Sequence, residues 1–461
     1  MSGNLSRREL LLGSIAAQSA FGQRGAKLNV LLIAVDDLNT RLGCYGDPVV
    51  QTPNIDRLAK RGIRFERAYC NYPVCNASRT SLLSGLRPEK TKVLDNRTPP
   101  RTTIKDAVML PEYFHQYGYF TARVGKIAHG LFEDAVSWDI SEFARGRTAA
   151  ARKKGRKKKA GGGAGDDTGA LQWVMTDNPD EAEPDGHTAR RIVELMDQSG
   201  GKPFFLGAGF HKPHLPWVAP KKYFDLYSPE KIKLPDTPAD DLADIPPIAL
   251  THREAEKRMT DTERKKAILA YHAATSFMDA QVGVLLDALD RKKLWDNTVV
   301  LLFGDHGWHL NEHLGLWRKM TVFEEAARAP LIIAAPGKKR GESCPRLVEW
   351  VDFYPTLAGL CGLPKKPGLD GEDMTRLLAN PQRRWKKAAY TIVRHQNVIG
   401  RSVRTDRFRY TEWGSPDVAE LYDHELDPKE YRNLAKDPKH AQTIVGLRTL
   451  LDNPELARPG A

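Results

Sequence analysis

No stretch of this 461-residue chain approaches the roughly 18 uninterrupted apolar residues of a membrane span, so no bilayer-crossing helix is expected. Cysteine is scarce and odd in number. Cys44, Cys70, Cys75, Cys344 and Cys361 form no C-x-x-C pair, which argues against a disulfide framework and against a cysteine-paired metal site. Acids are missing altogether between positions 145 and 159, where nine basic residues fall; removing those nine from the net charge of +12 leaves +3. The excess charge therefore does not describe a basic binding face, and no nucleic-acid partner is inferred. The same residues run into Gly161, Gly162, Gly163 and Gly165, in sequence that cannot build a core, so residues 145–169 are expected to be a disordered surface insertion. Docking to a polyanion such as a sulfated glycan is its alternative use.

What is present is periodic. A chain of this length exceeds one compact core, so a large domain with a smaller companion is expected. Near the start, Ser6-Arg7-Arg8-Glu9-Leu10-Leu11 precedes an apolar run to about Ala20, the pattern of a twin-arginine export signal. Residues 1–25 are accordingly set apart from the fold, and a periplasmic or extracellular location is expected. The apolar run Asn29–Val35 suits a strand buried on both faces of a parallel sheet, and it stops at Asp36-Asp37. Thr52 and Pro53 read as the cap and first turn of a helix that puts Ile55, Leu58 and Ala59 on one face and ends at Gly62; a strand over Ile63–Tyr69 follows. Runs at 119–124, 204–209 and 299–303 resemble the first, with helical periodicity between them. Between Asp261 and Lys292, Ile268, Tyr271, Ala274, Phe277, Met278, Val282, Leu285 and Leu286 recur at helical spacing. The fold class is α/β, with the catalytic unit placed at 26–384. Short alternating stretches at 401–413 and 420–422 predict a small antiparallel sheet in a second domain, 385–461.

Four strand-like runs finish within two residues of a group able to bind a metal or an oxyanion: Asp36 with Asp37, Lys126, His211, and Asp305 with His306. In an open α/β sheet such ends converge on one crevice. Each signal alone has a plainer reading, because paired acids cap helices and lysines and histidines are mostly surface residues. Together, three carboxylates and one imidazole form a hard, oxygen-rich set suited to one divalent cation, calcium before magnesium or manganese. Such an ion offsets charge on the oxygens of a sulfate or phosphate group. Cys75-Asn76-Ala77-Ser78-Arg79-Thr80-Ser81-Leu82-Leu83-Ser84-Gly85 reads as a helix that begins at the thiol and carries a fixed cation four residues on. A lone cysteine is usually an inert small hydrophobe, but at a helix N-terminus it occupies an anion-attracting position.

Here the sequence resembles the type I sulfatases, whose motif C-x-[P/A]-x-R followed by T-x-x-x-x-G marks a cysteine converted to formylglycine. The match is C-N-A-S-R-T-S-L-L-S-G, with Ala77 where proline is commonest. The resemblance extends to Gly125-Lys126 with His129, to Phe210-His211-Lys212-Pro213-His214, and from Asp305 through Trp317 to Lys319. Leu421-Tyr422-Asp423, Asp427-Pro428 and Asn433-Leu434 resemble the family's C-terminal sheet. Among sulfatases the chain looks most like the iduronate-2-sulfatase branch, on its H-K-P-H loop, D-H-G-W and W-x-K.

The resemblance implies an alkaline-phosphatase-like large mixed sheet sandwiched by helices, with a small C-terminal antiparallel sheet. It implies a sulfated carbohydrate substrate of the uronate 2-sulfate type and a maturation enzyme that generates formylglycine. One hydroxyl of the hydrated aldehyde attacks sulfur and the other releases sulfate, an exit that a serine ester lacks. Asp36, Asp37, Asp305 and His306 would hold calcium, with modified Cys75 completing the site. Arg79 would orient the diol, Lys126 and Lys319 contact sulfate oxygens, His129 serve the diol and His211 protonate the departing oxygen. Lys212, His214 and Trp217 are candidate substrate contacts. The alternatives are a phosphodiesterase or phosphonate hydrolase of the same superfamily, and a non-catalytic protein that binds sulfated glycans.

Overall fold

The computed structural model describes residues 27–133, 135–144 and 171–460; the expected export segment 1–25 and basic insertion 145–169 lie outside the described residues. In chain order the strands are β1 (Asn29–Val35), β2 (Ile63–Tyr69), β3 (Phe120–Gly125), β4 (Ile140–Glu142), β5 (Trp173–Thr176), β6 (Phe204–Phe210), β7 (Trp217–Pro220) and β8 (Thr298–Gly304). They continue with β9 (His309–Leu310), β10 (Trp317–Arg318), β11 (Leu331–Ala334), β12 (Glu342–Glu349), β13 (Ala389–His395), β14 (Val398–Arg404), β15 (Phe408–Trp413) and β16 (Ser415–Asp423). Eight of them form one mixed sheet in the order β12-β2-β11-β8-β1-β6-β3-β4. β11 is antiparallel to both its neighbours, and every other pairing is parallel, so all strands but β11 point the same way. Their carboxyl ends therefore share one edge.

The central strands β1, β6 and β8 are buried throughout, as continuous apolar runs require when helices cover both faces. Alternation along β1 divides the core in two. Val30, Leu32 and Ala34 pack with Leu82, Phe114, Phe353 and Leu357, whereas Leu31, Ile33 and Val35 pack with Ile55, Ile192, Val282 and Leu286.

The helix Pro53–Arg61 forms where expected, but Thr52 does not cap it through its side chain. Thr52 Oγ1 accepts a bond from Gly43 N instead, and the helix start is capped by Asp279, which accepts from Asn54 N (3.1 Å) and Ile55 N (2.7 Å). Asp279 belongs to the helix Asp261–Arg291, whose own start has a capping box between Thr260 and Glu263.

β13 to β16 make a four-stranded antiparallel sheet. It is stitched to the large sheet next to the crevice: Ile392 N donates to Asn71 O (3.0 Å) and Thr391 Oγ1 to Cys70 O (2.7 Å). Buried Lys386 bridges Glu349 and Asp352 at 2.8 and 2.6 Å. Inside the small sheet, burial raises Glu420 to about 7 although Trp413 Nε1 and the Tyr422 hydroxyl donate to it at 2.6 and 2.8 Å.

Because the folded value lies above that of the unfolded chain, Glu420 costs nothing while protonated and removes stability as pH rises from about 4.5 through about 7. Glu420→Gln ends that titration. Its unfolding midpoint is expected to gain on the wild type's between about pH 5 and 8. A difference independent of pH in thermal scans would show that the fold does not raise Glu420.

Candidate active site

The crevice is built from strand ends. Asp36 and Asp37 leave β1 with Asp36 N bonded to Phe210 O (3.1 Å) and Asp37 N to Asp305 Oδ1 (3.0 Å), while Asp305 N returns to Val35 O (3.0 Å). Asp37 has a φ of 60°, a left-handed conformation that costs a residue with a Cβ of order 1–3 kcal/mol. Tyr271 holds it there: its hydroxyl donates to Asp37 O and accepts from Asn39 N, both at 2.9 Å. β3 ends at Gly125, where a Cβ would lie 2.0 Å from Gly209 O. The close approach of Gly125 to Gly209 brings Lys126 against Asp36 Oδ2 (2.5 Å).

Beyond β2 the chain enters the wholly buried helix Cys75–Ser84. Val74 at its N-cap offers no side-chain bond, and Asn96 Oδ1 accepts from Asn76 N in its place (3.0 Å). Cys75 Sγ lies 3.4 Å from His306 Nε2 and 3.1 Å from Lys319 Nζ. Lys319 also donates to Asp37 Oδ1. Arg79, one turn on, is 1% exposed and touches four things at once. Its Nε donates to Asp305 Oδ2 (2.8 Å), Nη2 to Asp36 Oδ1 (3.3 Å), and Nη1 to the carbonyls of Lys126 (2.5 Å) and Ile127 (3.0 Å).

The electrostatics follow from these contacts. Burial alone would raise Asp36 and Asp37, but Lys126, His214, Arg79 and Lys319 around Asp36, and His214 and Lys319 around Asp37, hold both carboxyls below their ordinary range. Burial and Asp36 oppose ionisation of Cys75; Lys126 and Lys319 outweigh them and bring its thiol below the usual value. Burial works against a charge on His306, yet Asp305 and Cys75 raise the ring to about 9. Three buried acids, Asp36, Asp37 and Asp305, thus face Lys126, Lys319, Arg79 and the charged ring of His306.

The residues expected from sequence divide into two groups. Asp36, Asp37, Cys75, Arg79, Lys126, Asp305, His306 and Lys319 meet within the distances above, and His129 lies beside them with its pKa lowered to about 4 by burial and by Lys126. His211 sits at the lip with its ring 45% exposed, 3.9 Å from Asp185. The candidate substrate contacts fall elsewhere. His214 leans on Asp37, its Nε2 3.8 Å from Oδ2, so Asp36, Asp37, Cys75 and His214 form one group able to hold a cation. Lys212 spends its ammonium on the carbonyls of His214 (3.0 Å) and Pro216 (2.7 Å), bracing its own loop. Trp217 is fully buried and packs edge-on against Tyr271, where no ligand reaches it. In this structure Lys212 braces its loop and Trp217 packs in the core.

Nothing in the sequence marks Tyr271 or Asp185 as part of the site. Tyr271 reads as one apolar position of a long helix, and Asp185 as a first-turn acid. Asp185 in fact accepts from His211 N (2.9 Å) and Lys212 N (2.8 Å) and so anchors the loop after β6.

Comparison with known proteins matches residues 28–363 to the family described as Sulfatase, and residues 311–455 to one described as N-sulphoglucosamine sulphohydrolase, C-terminal. A sulfatase of Formosa agariphila is 34% identical over 448 residues, covering 92% of this chain and 86% of the relative. The iduronate 2-sulfatase of Mus musculus is 31% identical over 541 residues, covering 95% and 97%. Among solved structures, the phosphonate monoester hydrolase of Agrobacterium radiobacter superimposes with a TM-score of 0.79 at 20% identity, covering 93% of this chain and 96% of that one, a likeness of fold alone. A 2-O GAG sulfatase superimposes with a TM-score of 0.75 at 25% identity, covering 93% and 92%. The alkaline-phosphatase-like architecture expected from the sequence is the one observed.

Removing Arg79 would leave Asp36, Asp305 and two carbonyls facing one another without their cation. Arg79→Ala is expected to lower stability by about 3–5 kcal/mol, and Arg79→Lys by less, since it keeps the charge and loses the fork. Urea unfolding of the two variants checks the order; a wild-type midpoint for Arg79→Ala would show that this guanidinium does not hold the crevice together.

Proposed function

This chain belongs to the sulfatase family and is a sulfuric ester hydrolase, and from that premise we propose that it removes sulfate from a carbohydrate of the uronate 2-sulfate type with a formylglycine made from Cys75. The observation that carries this reading is the meeting of Cys75, at the N-terminus of a buried helix, with Lys126, Lys319, Arg79 and the three acids at the ends of β1 and β8. The substrate class is supported by the iduronate 2-sulfatase that matches nearly end to end. Export through residues 1–25 follows from their Arg7-Arg8 pattern, and a maturation enzyme is the partner that conversion of Cys75 requires.

The donor set suits a divalent cation. Asp37 Oδ2 is buried with no hydrogen-bond partner, an acceptor that a cation would satisfy. Asp36, Asp37, Asp305 and His306 would hold calcium, the modified Cys75 would complete the set, and His214 stands next to it. A bound calcium would offset the charge on the ester oxygens.

Around that centre each side chain has a task. Cys75 Sγ marks the place of the aldehyde carbon's hydroxyls, and Arg79, fixed by four bonds, orients them. Lys126 and Lys319 turn from Asp36 and Asp37 towards sulfate oxygens. His129, uncharged at neutral pH, is suited to accept a proton from the hydroxyl pair. His211 at the lip is the candidate donor to the departing sugar oxygen; burial lowers the pKa of its ring to about 3, so it takes up the proton only when the anionic ester lies beside it.

Two measurements test this reading. Mass spectrometry of the peptide carrying Cys75 from the native host should show the thiol lost to an aldehyde, and Cys75→Ala should turn over a 2-sulfated uronate disaccharide at least ~10³-fold more slowly. Undiminished turnover in Cys75→Ala ends the nucleophile assignment, whereas turnover of phosphonate esters in preference to sulfates favours the superfamily's other branch. Calcium added to chelator-treated protein should raise its unfolding midpoint by several degrees, and Asp305→Asn should remove most of that gain. An unchanged midpoint at millimolar calcium would sink the metal assignment.

A further inference from the structure

The loop that carries Lys319 is the most strained segment among the described residues. Five of the ten non-glycine residues with a left-handed φ lie within ten positions of one another: Asn311, His313, Leu314, Arg318 and Met320, at 78°, 48°, 53°, 75° and 77°. Two of them bracket Lys319. Each such residue costs of order 1–3 kcal/mol and persists only where its surroundings over-determine it. On the Arg318 side the determinant is buried Glu256, which accepts from Arg318 Nε (2.6 Å). On the Met320 side there are two. Met320 N donates to Pro73 O (3.2 Å), two residues before Cys75, and Met320 O faces His395 Nε2 at 2.5 Å.

His395 ends β13 in the small C-terminal sheet. Its other ring nitrogen, Nδ1, faces Ile248 O at 2.6 Å, and its ring lies over Trp413 with centroids 5.0 Å apart. One half-buried side chain thus lies against three separate segments, the C-terminal sheet, the turn Pro247–Ala249 and the backbone beside Lys319, and the tautomer with its proton on Nε2 donates to Met320 O. The neighbouring Arg394 reaches the same rim, its N donating to the Tyr72 hydroxyl and its guanidinium pairing with Asp95 at 3.3 Å.

We propose that His395 is a positioning residue for Lys319, so that the C-terminal sheet sets the lysine that contacts the sulfate. This rests on the reading of Lys319 given above. A lysine ammonium is a point charge on a flexible stem, so its backbone sets where the stem starts and how far the charge reaches, and from this backbone Lys319 Nζ meets Asp37 Oδ1 and Cys75 Sγ. His395 fixes that backbone at Met320 O, and a displacement of about 1 Å there is enough to cost of order 10²-fold in rate.

The test is a double-mutant cycle on the mature enzyme with nitrophenyl sulfate, whose reactive leaving group keeps slow variants measurable. His395→Phe keeps the ring over Trp413 and removes both nitrogens. It is expected to lower kcat by about 10–100-fold with KM changed less than ~3-fold and with an unfolding midpoint within a few degrees of the wild type. His395→Gln, which restores a donor, should recover part of the loss, and it also serves as the second variant should the phenylalanine not fold. In a Lys319→Ala background His395→Phe should change kcat by less than ~3-fold, because the group it positions is gone. An equal loss in both backgrounds, or no loss in the wild type, overturns the inference. Full activity in Lys319→Ala alone is a different result, which refutes the sulfate contact itself and the inference with it.

Discussion

A single buried guanidinium ties the working parts of this molecule together. Arg79 comes from the helix after β2, and it binds Asp305 at the end of β8, Asp36 at the end of β1, and the carbonyls of Lys126 and Ile127 beyond β3. A cation carried out of water to 1% exposure is costly by itself, by several kcal/mol after relaxation. The carboxylates offset that cost only while they stay in place, and they in turn need the cation. The interaction is therefore conditional in both directions: four strand ends are held at one edge because none of the charges can leave without stranding another. The sheet topology makes this possible, since seven strands of the eight deliver their carboxyl ends to the same side.

The same logic extends outward. Left-handed Asp37 is held by Tyr271, and left-handed Met320 by Pro73 and His395. Strain sits at Asp37 and on both sides of Lys319, and it is countered by hydrogen bonds from elements far away in sequence. Stability elsewhere in the fold supports a site that would not hold its own shape. The small C-terminal sheet belongs to this arrangement, because its first strand bonds to Cys70, Asn71 and Tyr72 just before the helix Cys75–Ser84.

What was readable from residues alone follows from the same division. β1 and β2 have the limits expected from sequence, and β3, β6 and β8 differ by a residue or so at their ends, because continuous apolar runs and their polar stops are local signals. The groups at those stops converge because open sheets of this class bring carboxyl ends together. β11, Leu331–Ala334, is four residues of LIIA whose antiparallel direction depends on partners more than 25 positions away, and no local pattern encodes that. Thr52 illustrates a subtler limit: its residue type and place are right for a cap, but Asp279, 225 residues further along than Asn54, takes the task. Lys212 and Trp217 look like substrate contacts because they follow β6 in a loop of mixed polar and aromatic residues. Their side chains turn inward, one to loop carbonyls and the other to Tyr271, for reasons that only the packed structure contains.

Charge alone does not choose between the reactions this fold can support. Sulfate monoesters, phosphodiesters and phosphonate monoesters each carry one negative charge, and a crevice with Lys126, Lys319 and Arg79 attracts all of them alike. The shared fold of the phosphonate monoester hydrolase and the 2-O GAG sulfatase is consistent with that. Discrimination must then come from surfaces that touch the rest of the substrate. Two such surfaces lie beside Cys75. The first is the loop 211–216, braced by Asp185 and by the Lys212 ammonium. The second is the turn at 95–98, where Asp95 accepts from Arg97 N and Thr98 N at 2.8 Å and Asn96 caps the helix of Cys75. Both are held by hydrogen bonds that do not involve the strand-end charges, so a preference for one sugar over another would fall to them.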